Sequence, residues 1–434
     1  MSKSFIPEIV GIRAIALLWM IGFHIVFCFG FHASPAEYHE RLLHPSLFLL
    51  AQGHLGVDLF FIVSGYVIFR LLDAERQEHG NISLSRFYAR RWLRLFPAYT
   101  AVLFLCVFLL GTEGHGAQSW ANFLMVNNFL PLAQQAMPWS WSIAIECQFY
   151  LAAPWLLHLL PGRPPCSSTE SGRYAWPASL ALRLFLILTS ATAIVGWLLL
   201  RHPPLVHVHA TVTALKPQSW LHLPYLFHSE VDWDCFHEYF NRIYDKPYGR
   251  FAPLLLGASL VAAEQQPALT RWMVSARRAA RLTLALAGLL WGLSVGLTGY
   301  MTVCISGNRT FDLIALSTYR VLFSLAAAYV FLYVLAGRAH AQPSWLGRLL
   351  AARGWRAIAK ASYSTYLVHP LVVLGLWSVV AARSAQHGRW IWLALVPTAY
   401  GLSLASGAIL HATIEGPLHS LGRRLTRRPP ILRG

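Results

Sequence analysis

Ten mostly apolar stretches, several close to the ~20 residues that cross a bilayer as a helix, follow one another along the chain. They lie near 9–31, 54–72, 97–111, 141–160, 178–200, 250–264, 279–300, 317–336, 358–382 and 391–412. Polar segments separate them, and neither an internal repeat nor a soluble-looking block is left over. The pattern predicts an all-α protein, a polytopic membrane helical bundle of about ten transmembrane helices.

Lysine and arginine add an orientation. Segments on the N-terminal side of the expected membrane hold 22 of the 35 Lys and Arg, those on the opposite side hold 8, and 5 fall inside or at the ends of spans. Cytoplasmic loops are enriched in these residues. Both termini are therefore expected in the cytoplasm, with the loop 201–247 outside and a basic tail, 426–434, inside.

Topology turns each polar residue into a depth. The first run, Ile9 to Phe31, carries Arg13 and His24 in otherwise apolar sequence. Eleven residues of helix bring His24 to within ~20° of the face of Arg13, ~16 Å further along the axis. Ionisable groups inside a bilayer are expensive and mark a cavity or a chemical site. Arg13 is expected near the inner face and His24 in the outer half. Asp58, Glu146, Arg250 and Arg320 are expected at outer depths and His369 near the middle. Across the inner face, SRFYARRWLRLFP sets Arg86, Arg90, Arg91 and Arg94 below Arg13. Arg90 and Arg94 share one helical face, which suits a phosphate-bearing ligand as well as lipid headgroups.

Composition agrees with the membrane reading: 56% of residues are hydrophobic and 12% charged, with mean hydropathy +0.48, against about 25% charged in soluble domains. The net charge of +17 is scattered through loops, so a nucleic-acid partner is not expected. No cleavable signal peptide is expected, because the first run is long and holds an arginine. Cys28, Cys106, Cys147, Cys166, Cys235 and Cys304 follow no CxxC spacing. The six histidines of the outer loop, His202, His207, His209, His222, His228 and His237, match no zinc template. No metal is expected. Ser64 lacks the GxSxG elbow of a nucleophile, and Ser64–Gly65 reads as close helix packing.

Six segments in order carry a family likeness. They are the Arg13–ten residues–His24 motif, HLGVDLFFIVSGYVI (His54 to Ile68), FYARRWLRLFPAY (Phe87 to Tyr99), WSWSIAIECQFYL (Trp139 to Leu151), ASYSTYLVHP (Ala361 to Pro370) and IEGPLHSLGRRL (Ile414 to Leu425). With them the chain resembles the acyltransferase-3 family of membrane O-acyltransferases over almost its whole length. IYDKPYGRFAPLLLGASLVA (Ile243 to Ala262) looks more like the branch that includes the nose-resistant-to-fluoxetine proteins. Residues 1–425 are then an integral membrane acyltransferase domain, and no SGNH hydrolase-like domain is expected after the tenth span.

The resemblance implies transfer of an acyl group, often acetyl, from acyl-coenzyme A to a hydroxyl of a carbohydrate or other small acceptor. Arg90, Arg91, Arg94 and Arg13 would meet the donor's phosphates. His24 would act as general base or accept the acyl group itself. Glu146, or Asp58 as a second candidate, would orient the imidazole. Arg250, Arg320 and His369 would stabilise an oxyanion or bind the acceptor. A bacterial inner membrane fits the short loops. The reading from a different class is a proton-coupled transporter or flippase, which also uses carboxylate, histidine and arginine within the bilayer; a metal-binding scaffold on the histidine-rich loop ranks last.

Overall fold

Pro7 opens the first helix, α1 (Pro7–Phe29, 23 residues), where its missing N–H is one of the amides that no helix satisfies. Glu8 in the same turn accepts from Arg338 at 3.2 Å, at the favourable end of the helix dipole. In a computed structural model of the chain, residues 5–30, 45–111, 118–158, 240–275, 284–285, 287–293, 309–383 and 389–426 are described. Among them every regular element is helical.

After α1 come α2 (Pro45–Ala51), α3 (Gly56–His79), α4 (Leu84–Phe104), α5 (Ser119–Phe123) and α6 (Trp141–His158). Then follow α7 (Pro247–Glu264), α8 (Pro267–Ser275), α9 (Arg309–Ala339), α10 (Trp345–Leu350) and α11 (Trp355–Lys360). The last are α12 (Ser362–Arg383), α13 (Arg389–Leu410) and α14 (Gly416–Leu425).

Among the described residues six stretches are long and apolar enough to cross a membrane: Pro7–Phe29, Leu49–His79, Leu84–Phe108, Thr318–Ala339, Ser362–Val380 and Ile391–Leu425. They match the expected first, second, third, eighth, ninth and tenth spans. The expected fourth and sixth spans are α6 and α7, each 18 residues, about 27 Å at 1.5 Å per residue. The expected fifth span lies outside the described residues and the seventh largely so. The third span begins earlier than the apolar run: the arginine-rich segment is the first half of α4, and Pro97 sits inside it.

The central helix is α1, which packs against α2, α3, α10, α11, α12 and α13. Trp377 Nε1 donates to the Ile25 carbonyl at 2.9 Å and Tyr400 Oη to that of Leu18 at 2.9 Å, which fixes α12 and α13 along its length. On its other side α3 crosses α7 at glycines. A Cβ on Gly65 would lie 1.8 Å from the Leu254 carbonyl oxygen, and one on Gly257 2.0 Å from that of Ile62. Only backbone fits there, as in close transmembrane crossings generally. Phe104, Phe108, Trp155, Leu393 and Ile409 are exposed, as side chains that face lipid would be.

Candidate active site

The segment ASYSTYLVHP, at the start of α12, reaches four neighbouring helices through its polar residues. Ser362 Oγ accepts from Arg13 of α1 at 3.0 Å. Tyr363 donates to the Leu95 carbonyl of α4 at 2.7 Å and Ser364 to Glu415 at 2.6 Å. Tyr366 donates to the Trp139 carbonyl and accepts from Ser142 at the start of α6. His369 meets His24.

The two imidazoles are edge to face, with centroids 4.7 Å apart and His369 Nε2 3.1 Å from His24 Nδ1. Their hydrogens follow from their partners. His369 Nδ1 faces the carbonyls of Tyr366 at 2.8 Å and Thr365 at 3.3 Å; a carbonyl only accepts, so in the neutral ring Nδ1 holds the proton and Nε2 the lone pair. His24 Nδ1 faces that lone pair and the Met20 carbonyl at 3.0 Å, so it too holds its proton. The network thereby assigns the free lone pair of His24 to Nε2.

The Tyr366 carbonyl is available to His369 for a reason written in the chain. Residue 370 is proline, which has no N–H to offer the carbonyl four residues earlier. His369 takes the place that a backbone amide would have held.

Toward the other end of α1 a cavity opens, lined by residues of α1, α3, α4, α6 and α12. Arg13, Arg91, Arg94, Ser64, Glu146 and Tyr150 supply most of its polar lining. Glu146 accepts from Ser64 Oγ at 2.6 Å and from Tyr150. The cavity continues past Phe61 and Ser142 to Tyr366, whose ring centroid is 5.7 Å from that of His369. His24 and His369 are not among the lining residues.

A third group gathers around Asp58 of α3. Asp58, fully buried, accepts from Arg250 at 3.0 Å and Arg320 at 2.7 Å. Both guanidiniums lie against aromatic rings. Arg250 is 4.1 Å from the centroid of Tyr244 and 4.6 Å from Trp141, and Arg320 is 4.5 Å from Tyr244 and 5.1 Å from Tyr319. Beside them, outside the spans, burial pushes the Asp245 carboxyl up to about 6.

The site residues expected from sequence thus fall into three neighbourhoods. Arg13, Arg91, Arg94 and Glu146 share the cavity; His24 and His369 form a pair; Asp58, Arg250 and Arg320 form a cluster. Among the described residues neither carboxylate hydrogen-bonds His24, and the imidazole of His369 takes the position expected of an acid. Arg90 points elsewhere: its Nε donates to Thr426 Oγ1 at 2.8 Å and its Nη2 to the Thr426 carbonyl at 2.7 Å, securing the end of α14. Sequence reasoning passed over Tyr366, Ser142, Ser362 and Tyr150. It also passed over Gln52, whose buried amide atoms have no partner among the described residues. The one signal available was the His–Pro dipeptide of ASYSTYLVHP. Cys28 and Cys147 are free thiols, and the histidines of 201–239 lie outside the described residues. Among the described residues no three metal-ligating side chains come together.

Comparison with known proteins matches residues 6–411 to a family described as an acyltransferase domain, acyltransferase-3. The chain is 28% identical over 173 residues to a peptidoglycan O-acetyltransferase, OatA, of Listeria monocytogenes, covering 35% of this chain and 24% of that protein. It is 31% identical over 178 residues to O-acetyltransferase OatA of Staphylococcus aureus, covering 37% of this chain and 26% of the relative. The chain therefore spans about a quarter of the length of these curated relatives. No solved structure matches it.

Proposed function

This chain belongs to the acyltransferase-3 family, and from that premise we propose that it is a membrane O-acyltransferase moving an acetyl group from acyl-coenzyme A to a hydroxyl of a carbohydrate acceptor. The observation that carries the reading is the cavity itself, lined by Arg13, Arg91 and Arg94 and also by Tyr366, whose ring is next to His369 of the His369–His24 pair. Coenzyme A has phosphates at one end and the thioester at the end of a long, uncharged arm.

In this account Arg91 and Arg94 bind the donor's phosphates through charge-assisted hydrogen bonds. Arg13 lies deeper, held by Ser362, and Glu146 offsets part of the cationic charge. The acyl group passes Tyr366 and meets the acceptor at His24. His24 Nε2 takes the acceptor's hydroxyl proton as the oxygen attacks the thioester carbonyl. A C–O bond forms, the C–S bond breaks, and the leaving thiolate takes the proton back from the imidazolium. His369 holds His24 in the tautomer this requires, and Asp58, Arg250 and Arg320 face the acceptor. With the N-terminus in the cytoplasm, donor enters from inside and acceptor waits outside, across a bacterial inner membrane.

Purified protein in lipid nanodiscs, given acetyl-labelled coenzyme A and a panel of hydroxylated sugars, should transfer label and release free thiol in equal amounts. Neither label transfer nor thiol release, with acetylation of the sugars supported by a different acyl donor, would point to another donor. Proton-coupled sugar uptake with neither would remove the enzyme reading.

A further inference from the structure

Among the described residues the Asp58 cluster sets two guanidiniums against one carboxylate, and Arg250 and Asp58 are buried almost completely. The neighbouring Asp245 and Lys246 pair with each other at 2.9 Å and add no net charge. A buried N–H of a charged group is costly when it makes no hydrogen bond.

The hydrogen bonds of Arg250 show where a partner would bind. Its Nη1 goes to Asp58 and its Nε to the Tyr244 carbonyl, while Trp141 and Tyr244 lie against the guanidinium. Cation–π contact stabilises the charge without using the N–H groups at the edge. Nη2, buried on a side chain that is 1% exposed, has no partner among the described residues. Asp58 holds Arg320 beside it. A chain of four ring contacts joins the cluster to the imidazole pair. Phe23 is 5.1 Å from His24 and 5.4 Å from His54, His54 is 6.2 Å from Tyr319, and Tyr319 is 5.1 Å from the Arg320 guanidinium.

We propose that the Arg250–Arg320 pair is an anion site that selects acceptors bearing a carboxylate or phosphate beside the hydroxyl to be acylated. The inference rests on the acyl-transfer reading only for calling the ligand an acceptor. The anion site stands or falls on binding alone.

The test is calorimetric binding of three probes to the full chain in nanodiscs without acyl donor: glucuronic acid, glucose 6-phosphate and glucose. One or both charged sugars should bind at least tenfold tighter than glucose, and which does so separates carboxylate from phosphate. Arg250→Gln and the milder Arg320→Lys should each weaken that binding at least tenfold, whereas Arg90→Gln, which touches the end of α14, should leave it unchanged. Equal binding of glucose and both charged sugars by the unmodified protein would overturn the proposal whatever the variants do. Charged-sugar binding lost in Arg90→Gln and kept in Arg250→Gln would overturn it too. A protein that binds charged sugars in this way but transfers no acetyl group would retain the anion site and lose the reading built on acyl transfer.

Discussion

Pro370 withholds an amide from the carbonyl of Tyr366, and His369 Nδ1 occupies that carbonyl at 2.8 Å. A missing backbone donor thereby fixes the tautomer of one imidazole and, through a 3.1 Å contact, that of His24. Pro370→Ala should return a competing N–H to Tyr366. We expect the variant to be as stable as the parent or more so, since proline in a helix interior is unfavourable by about 3 kcal/mol relative to alanine, and yet to turn over more slowly. Thermal unfolding beside steady-state kinetics separates the two effects; lower stability with unchanged kcat would contradict this account.

His369 is a positioning residue in this scheme. His369→Gln keeps an acceptor oxygen near His24 Nδ1 and should retain part of the activity, whereas His369→Leu should lower kcat about 10²-fold, the order attached to a correctly protonated base. Donor KM should not change in either. Equal losses in the two variants would reduce His369 to a packing role.

The arginines of α4 divide by their partners. Arg91→Gln and Arg94→Gln should each raise the KM for acetyl-coenzyme A about tenfold or more, since a hydrogen bond to a charged group contributes about 1.5–3 kcal/mol and 1.4 kcal/mol is a factor of ten. Arg90→Gln should leave that KM unchanged and lower the melting temperature, because Arg90 holds Thr426. Donor saturation curves for the three variants check the division.

Asp245 makes stability depend on pH. Its carboxyl, about 6 in the folded protein, is about 3.9 in an unfolded chain. Between these values the folded state binds more protons, so stability is fully present below about 4, falls as pH rises, and has lost this contribution above about 6. Melting temperatures from pH 4.5 to 7 should show the decline, and Asp245→Asn should flatten it. An identical slope in the variant would assign the effect to another group.

The helix crossing at Gly65 leaves no room for a side chain. Gly65→Ala forces α3 and α7 apart and should destabilise the protein by about 1–3 kcal/mol, as overpacking does. A melting temperature within a degree of the parent would show that the crossing yields.

Much of this architecture is legible in the hydrophobic pattern, because a bilayer requires long apolar helices and punishes buried charge. Arg13 and His24 stand out for that reason, and so does the shared face of the α4 arginines. The pairing of side chains is another matter. Nothing local tells Glu146 to accept from Ser64, 82 residues away, or brings His369, 345 residues from His24, to the position where an acid was expected. Arg90 and Arg94 are equivalent by helical spacing, yet one meets Thr426 and the other faces the cavity, a difference set by where α14 docks. Sequence gives depth and chemistry; the partner depends on how the helices rotate against one another.

The most direct measurement is thiol release from acetyl-coenzyme A under single-turnover conditions, with a working acceptor, for the parent and for His24→Ala. The account predicts at least a 10²-fold slower release in the variant, with donor binding unchanged and the protein still folded. His24→Ala releasing thiol and acetylating the acceptor at the parent rate would contradict it.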